Sequence, residues 1–169
     1  MRKIFVPLTG GFARYLEIFS NPTGVSITAQ VEVGSNLGSD GRTRIVVAPS
    51  VTNNTFAVTA QNDRCCDPAL AHIFGEPTAP VAVIETRFVD GDDNIFYRWN
   101  MTIPADQTVI LMHFAVQRDV LDTAGAQAQA EELVDLTDPN ALVGMSLDEK
   151  SHVLNFNIPS CLRRKDEIG

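Results

Sequence analysis

The chain has 169 residues, of which 44% are hydrophobic and 20% are charged. This length and near-average composition fit one globular domain with a sizeable core and exclude disorder or a coiled coil. The formal net charge of −8 disfavours a nucleic-acid-binding surface, because such a surface needs a concentrated basic face. No apolar run approaches the roughly 20 residues of a membrane-spanning helix. The start of the chain lacks the apolar core of a signal peptide, so we expect either an intracellular protein or part of a longer one.

Short strand patterns separated by turn signals fill most of the first 118 residues. In segment 25–33 (VSITAQVEV) apolar and polar residues alternate, which indicates a half-buried strand. Segment 109–116 (VILMHFAV) is apolar on both faces and predicts a central strand that is covered on each side. Further strands are predicted at 2–8, 13–19, 42–50, 55–60, 81–89 and 95–103. The spacing predicts an all-β fold, mainly an antiparallel β-sandwich.

A short helical pair is predicted near the C-terminus. Residues 123–136 are rich in Ala, Gln, Glu and Leu, which favour helix. Ser146 with Glu149 three residues later is a capping-box pattern for a second short helix. We therefore predict a single β-sandwich domain over residues 1–160, with a helical insertion at about 123–152, and a C-terminal tail at 161–169.

Two adjacent cysteines, Cys65 and Cys66, lie in segment 64–75 (RCCDPALAHIFG). Neighbouring residues of an extended segment point to opposite sides, so the two cannot easily share one metal ion. The sequence therefore predicts neither a metal site nor any other cofactor. One of the two could instead form a disulfide with Cys161, and Cys66 with Cys161 is the pair we predict for an oxidising compartment. The alternative is three unpaired thiols in a reducing cell.

Catalytic and calcium-binding patterns are weak. His113 lies in the most apolar strand, where a core histidine hydrogen-bonded to a neighbour is expected. His72 is expected near a helical turn that starts at Asp67. The acidic loops 34–41 and 90–94 lack the EF-hand ligand spacing and are interpreted as turns.

Two kinds of ligand or substrate chemistry remain open, glycoside hydrolysis and sugar stacking. No G-x-S-x-G elbow is present. Two acidic pairs, Glu85 with Asp90 and Glu17 with Glu32, could in principle act in glycoside hydrolysis. Trp99, with Tyr97 and Arg98 beside it, could form a stacking platform for a sugar, although a core position is favoured for Trp99.

Four segments occur in an order that resembles one known module: 10–46 (GGFARYLEIFSNPTGVSITAQVEVGSNLGSDGRTRIV), 67–75 (DPALAHIFG), 103–118 (IPADQTVILMHFAVQR) and 133–156 (LVDLTDPNALVGMSLDEKSHVLNF). The chain resembles a β-sandwich module of large secreted or cell-surface bacterial proteins. Segment 104–114 is also similar to a turn and strand of mutarotase-like supersandwich domains, a class associated with carbohydrate.

The resemblance implies a non-enzymatic structural or adhesion module of an extracellular or cell-surface bacterial protein. Its expected partners are other modules of a longer polypeptide, a surface protein or a glycan, and neither nucleic acid nor membrane insertion is expected. A carbohydrate-binding domain that uses Tyr97 and Trp99 is the alternative, and a small hydrolase or epimerase is a third possibility. The resemblance also implies strands upstream of residue 2, so we expect an unpaired sheet edge and self-association.

Overall fold

The computed structural model describes residues 1–61 and 66–159. The helices and strands of this part of the chain follow in chain order. They are β1 (Arg2–Phe5), β2 (Phe12–Ser20), β3 (Ile27–Asn36), β4 (Thr43–Val47), β5 (Phe56–Gln61), β6 (Leu70–Ile73), β7 (Val83–Arg87), β8 (Asn94–Ile103), β9 (Thr108–Gln117), α1 (Thr123–Val134) and α2 (Leu147–His152).

The described strands form two antiparallel sheets. The large sheet has six strands in the order β1-β2-β9-β6-β5-β4, and the small sheet has three in the order β3-β8-β7. Consecutive strands are often not neighbours: β2 pairs with β9, and β3 pairs with β8. The predicted all-β, mainly antiparallel fold is confirmed.

Strand β9 lies inside the large sheet and is buried on both faces, as its apolar run predicted. Ile110, Met112 and Phe114 point to a core that the helices cover. Leu111 on the opposite face contributes to a second core, which is shared with the small sheet. The molecule is therefore built in three layers, with the large sheet in the middle.

The two predicted helices are present, and the second has the capping box that the sequence indicated. Asp122 accepts the backbone N–H of Gly125 at the start of α1, and the α1 residues Ala126, Ala130 and Leu133 are buried. At α2 the Ser146 side chain accepts from the Glu149 backbone while the Glu149 side chain accepts from the Ser146 backbone, which completes the capping box.

Arg14 of β2 fastens the segment between the helices to the large sheet. Its buried guanidinium donates to the carbonyl of Ala141 at 2.6 Å and to that of Val143 at 2.9 Å. The same group lies 4.8 Å from the centre of the Phe5 ring. Burial lowers the pKa of Arg14 to about 10, while the charge of Glu149 acts in the opposite direction. Arg14 stays charged at neutral pH, and its donors satisfy loop carbonyls.

Two local expectations were wrong. Residues 70–73 form strand β6 between β5 and β9, not a helical turn near His72, because pairing on both sides outweighs the turn signal of Asp67 and Pro68. Val25, placed in a strand by its alternation, precedes β3 and is exposed.

Candidate functional site

Tyr97 and Trp99 do not form a sugar platform on the surface. Both lie on the inner face of β8 in the core between the sheets, where Trp99 is 0% and Tyr97 4% exposed. Their rings meet edge to face, with centroids 5.2 Å apart. Alternation along β8 decides this, because Tyr97 and Trp99 share the inward face of the strand. The core interpretation of Trp99 is confirmed, and Tyr97 lies in the same core.

A buried hydrogen-bonded chain joins the two sheets at His113. Nδ1 of His113 lies 3.0 Å from the hydroxyl of Tyr97, and Nε2 lies 3.1 Å from Oε1 of Glu17. Glu17 also accepts from Nε of Arg2 at 2.6 Å. A neutral His113 that accepts from Tyr97 and donates to Glu17 satisfies every one of these contacts.

Burial fixes the charge states of this chain of contacts. It lowers the pKa of His113, although the bond to Glu17 opposes the change. Burial by itself would raise the pKa of Glu17, but the contacts with His113 and Arg2 outweigh it and lower that pKa. Burial also raises the pKa of Tyr97. At neutral pH the arrangement is therefore neutral His113 beside ionised Glu17.

The surroundings of His113 are those of a core residue. The Tyr15 ring stacks on it with centroids 4.7 Å apart, and the His113 side chain is 5% exposed. Both ring nitrogens already have partners. A cleft of about 740 Å³ at the ends of β2 and β9 is lined by Tyr15, Phe12, Leu70 and Val116, but not by His113 or Glu17. The pair therefore links the sheets and is not directed into this cleft.

The two acidic pairs considered for glycoside hydrolysis are not assembled as pairs. Glu17 lies between the sheets, whereas Glu32 is bound to Arg98 on the outer face of the small sheet. Glu85 also binds Arg98, while Asp90 accepts the backbone N–H of Ile45. Each carboxylate is thus held by a different structural contact.

Cys66 is disulfide-bonded. Its predicted pairing with Cys161 involves a residue outside the described ranges, and so do Cys65 and the 161–169 tail. Residues 1–61 and 66–159 contain no group of three or more His, Cys, Asp or Glu side chains placed to hold a metal ion. Within the same residues, no helix is long and apolar enough to cross a membrane.

Comparison with protein-family models, curated proteins and solved structures found no match. The geometry of the chain therefore carries the functional argument.

Each sheet has one protected edge. At the β4 edge of the large sheet, the Ile45 N–H donates to Asp90 Oδ1 at 2.6 Å and the Gly91 N–H donates to the Thr43 carbonyl at 2.7 Å. The turn at residues 90–91 thus occupies groups that another strand would use. At the β7 edge of the small sheet, the strand has five residues and its register shifts between Val83 and Glu85. Short and irregular edge strands resist pairing with other chains.

The β3 edge of the small sheet is long, regular and open. Its ten residues pair with β8 in one unbroken register, from Ile27 opposite Ile103 to Asn36 opposite Asn94. The Leu37 N–H donates to the Asp93 carbonyl, so in this ladder the odd-numbered residues of β3 bond to β8. The even-numbered residues, 28 to 36, direct their N–H and C=O groups away from the sheet. Within the described chain no strand pairs with that edge.

The sequence analysis expected an unpaired edge at the start of the chain and did not anticipate one at β3. Within the described residues no second strand pairs with β1 either, but β1 has four residues against the ten of β3. A signal for β3 was present in the sequence: segment 27–36 alternates regularly, has no proline or lysine and carries one charge, at Glu32.

Proposed function

We propose that this domain is a structural or adhesion module of an extracellular or cell-surface bacterial protein, and that it assembles by pairing β3 with β3 of a second copy. Its function is carried by main-chain pairing and not by chemistry at a catalytic site.

The open β3 edge is the observation that carries this proposal. The outward-facing residues 28, 30, 32 and 34 offer backbone donors and acceptors that no strand of the described chain pairs, and strand addition satisfies such groups. Ten residues in register give a continuous ladder, and an antiparallel pair of identical strands is self-complementary about a two-fold axis. Two copies joined in this way form one six-stranded sheet from two small sheets.

Two further features support the proposal. The disulfide at Cys66 is a bond that persists in oxidising compartments. The buried His113 and Glu17 are committed to contacts between the sheets, and the Trp99 ring is wholly buried. The polar and aromatic groups weighed for catalysis and sugar stacking thus have structural tasks.

Proline at an outward-facing position tests the edge. Gln30→Pro removes one outward N–H without touching a backbone β3–β8 hydrogen bond. Gln30→Ala keeps that N–H, and both variants lose the side-chain bond to Asn100. By size-exclusion chromatography with light scattering, we expect dimer for the natural chain and Gln30→Ala, and monomer for Gln30→Pro. Circular dichroism checks folding, and Thr28→Pro repeats the test nearer the strand end. A monodisperse monomer for the natural chain would contradict the proposal.

Peptide mapping of fractionated source cells tests the proposed location. We expect the peptides of this domain in the envelope or secreted fraction, within a polypeptide much longer than 169 residues. A free chain of this length in the cytosol would contradict both the location and the disulfide.

A further inference from the structure

The outer face of the small sheet carries an ordered polar surface. Gln30 donates to Asn100 at 3.1 Å, and Asn36 donates to Asn94 at 3.3 Å. Between these two amide pairs, Arg98 donates to Glu32 on one side and to Glu85 at 2.5 Å on the other. Cross-strand contacts thus fix planar side chains along the face before any ligand arrives.

A shallow hollow interrupts this face beside Phe96. Phe96 is half-buried, and its cross-strand neighbours are Gly34 on β3 and Arg87 on β7. Gly34 has no side chain to cover the ring, while the Arg98 guanidinium lies 5.2 Å from the ring centre. The hollow has a volume of about 380 Å³, and Glu32, Asn36, Arg87 and Asn94 line it together with Gly34 and Phe96.

The charges around the hollow are nearly balanced. Arg98 is bound by Glu32 and Glu85, and Arg87 is bound by Asp92. Two guanidinium groups against three carboxylates leave a charge of −1. An anionic ligand would meet net repulsion, whereas a neutral ligand would not.

We propose that this hollow is a binding site for one residue of a neutral oligosaccharide. A pyranose has an apolar C–H face that suits the exposed part of Phe96, and hydroxyls that both donate and accept. Amide groups and salt-bridged carboxylate and guanidinium groups around the ring offer both kinds of partner in one plane. The site uses side chains on the outer face of the sheet, whereas the proposed self-association uses the backbone of the β3 edge. Glu32, Gly34 and Asn36 belong to both, so the site adjoins that edge.

Filling the hollow tests the site. A Cβ at Gly34 would lie 3.7 Å from the nearest atom, the Ile95 carbonyl oxygen, so Gly34→Val adds a side chain to the hollow without strain. Phe96→Leu removes the ring and keeps apolar bulk. Thr102→Val places the same new side chain elsewhere on this face and serves as the matched control. The probes are maltohexaose, cellohexaose, xylohexaose, mannohexaose and chitohexaose, titrated into the labelled chain and followed by amide NMR shifts, with hexagalacturonate as the acidic comparison.

At least one neutral hexamer is expected to shift the amides of residues 32–36 and 94–98, with a dissociation constant of about 1 mM or tighter. Gly34→Val and Phe96→Leu are expected to raise the dissociation constant of that hexamer by about tenfold or more, as for the loss of a stacking contact. Thr102→Val is expected to bind as the natural chain does, and hexagalacturonate not to bind. Absence of shifts with all five neutral hexamers would overturn the proposal. So would full binding by Gly34→Val, or equal loss in Thr102→Val.

Discussion

The side chain of Asn155 pairs with Met112 in the way a neighbouring strand would. Asn155 Oδ1 accepts the Met112 N–H at 2.9 Å, and Nδ2 donates to the Met112 carbonyl at 2.6 Å and to the Phe74 carbonyl at 2.9 Å. Strand β6 ends at Ile73, opposite Phe114, so Asn155 continues the ladder of β9 after β6 has left the sheet. The side chain is wholly buried, which makes these bonds hard to replace with water.

Asn155→Ala is expected to lower the free energy of unfolding by about 2–4 kcal/mol, because it leaves buried backbone groups of Met112 and Phe74 without partners. Urea unfolding followed by circular dichroism measures the change. Asn157→Ala is the control, since Asn157 makes its bonds to Glu76 and Thr78 at the surface. If Asn155→Ala and Asn157→Ala lower the free energy of unfolding equally, the inference that Asn155 continues the β9 ladder is wrong.

Tyr97→Phe is expected to destabilise the fold by about 1–2 kcal/mol, because Nδ1 of buried His113 loses its donor. Tyr15→Phe also removes a hydroxyl, but from the ring that stacks on His113 and not from its hydrogen-bond partner. It should therefore lower the free energy of unfolding much less. Thermal and urea unfolding of both variants provide the comparison. If Tyr97→Phe and Tyr15→Phe lower the free energy of unfolding by the same amount, the Tyr97–His113 hydrogen bond does not link the sheets as we infer.

The stability of the fold is expected to fall as the pH drops from about 6.5 to 4. Burial lowers the pKa of His72 to about 4, with His113 adding to the effect, so the unfolded chain binds the proton first. The difference between the His72 pKa in the unfolded and the folded chain corresponds to roughly 3 kcal/mol in the free energy of unfolding. Urea unfolding between pH 7 and pH 4 should show a shallower decline for His72→Leu than for the natural chain. If the free energy of unfolding falls equally with pH in His72→Leu and in the natural chain, His72 is not the cause of the decline.

Asp90→Ala is expected to expose the β4 edge and to produce assemblies larger than a dimer. The substitution removes the acceptor that covers the Ile45 N–H at the β4 edge. Light scattering over a concentration series measures the mass, and Asp148→Ala is the control for loss of one surface charge. If Asp90→Ala has the same mass as the natural chain, the 90–91 turn does not protect the edge.

Local patterns in the sequence were sufficient for the elements and their buried faces. Alternation in 25–33 and the doubly apolar run 109–116 predicted a half-buried strand and a central strand, because side chains on a strand repeat every two residues. The Ser146 and Glu149 capping box was also readable, since its partners lie three residues apart. The four-residue strand β6 was missed, because its short run carries no clear period and depends on β5 and β9 for its pairing.

The sequence by itself therefore determined that this protein is an antiparallel β domain with two short helices near its C-terminus, and that His113 and Trp99 belong to a core. Only the tertiary structure decided which strands are neighbours, that Asp90 covers one edge while β3 stays open, and that Gly34 lies opposite Phe96. The physical reason is sequence separation. Glu17 and His113 are 96 positions apart, and the sheet order that joins them follows from the packing of the whole chain.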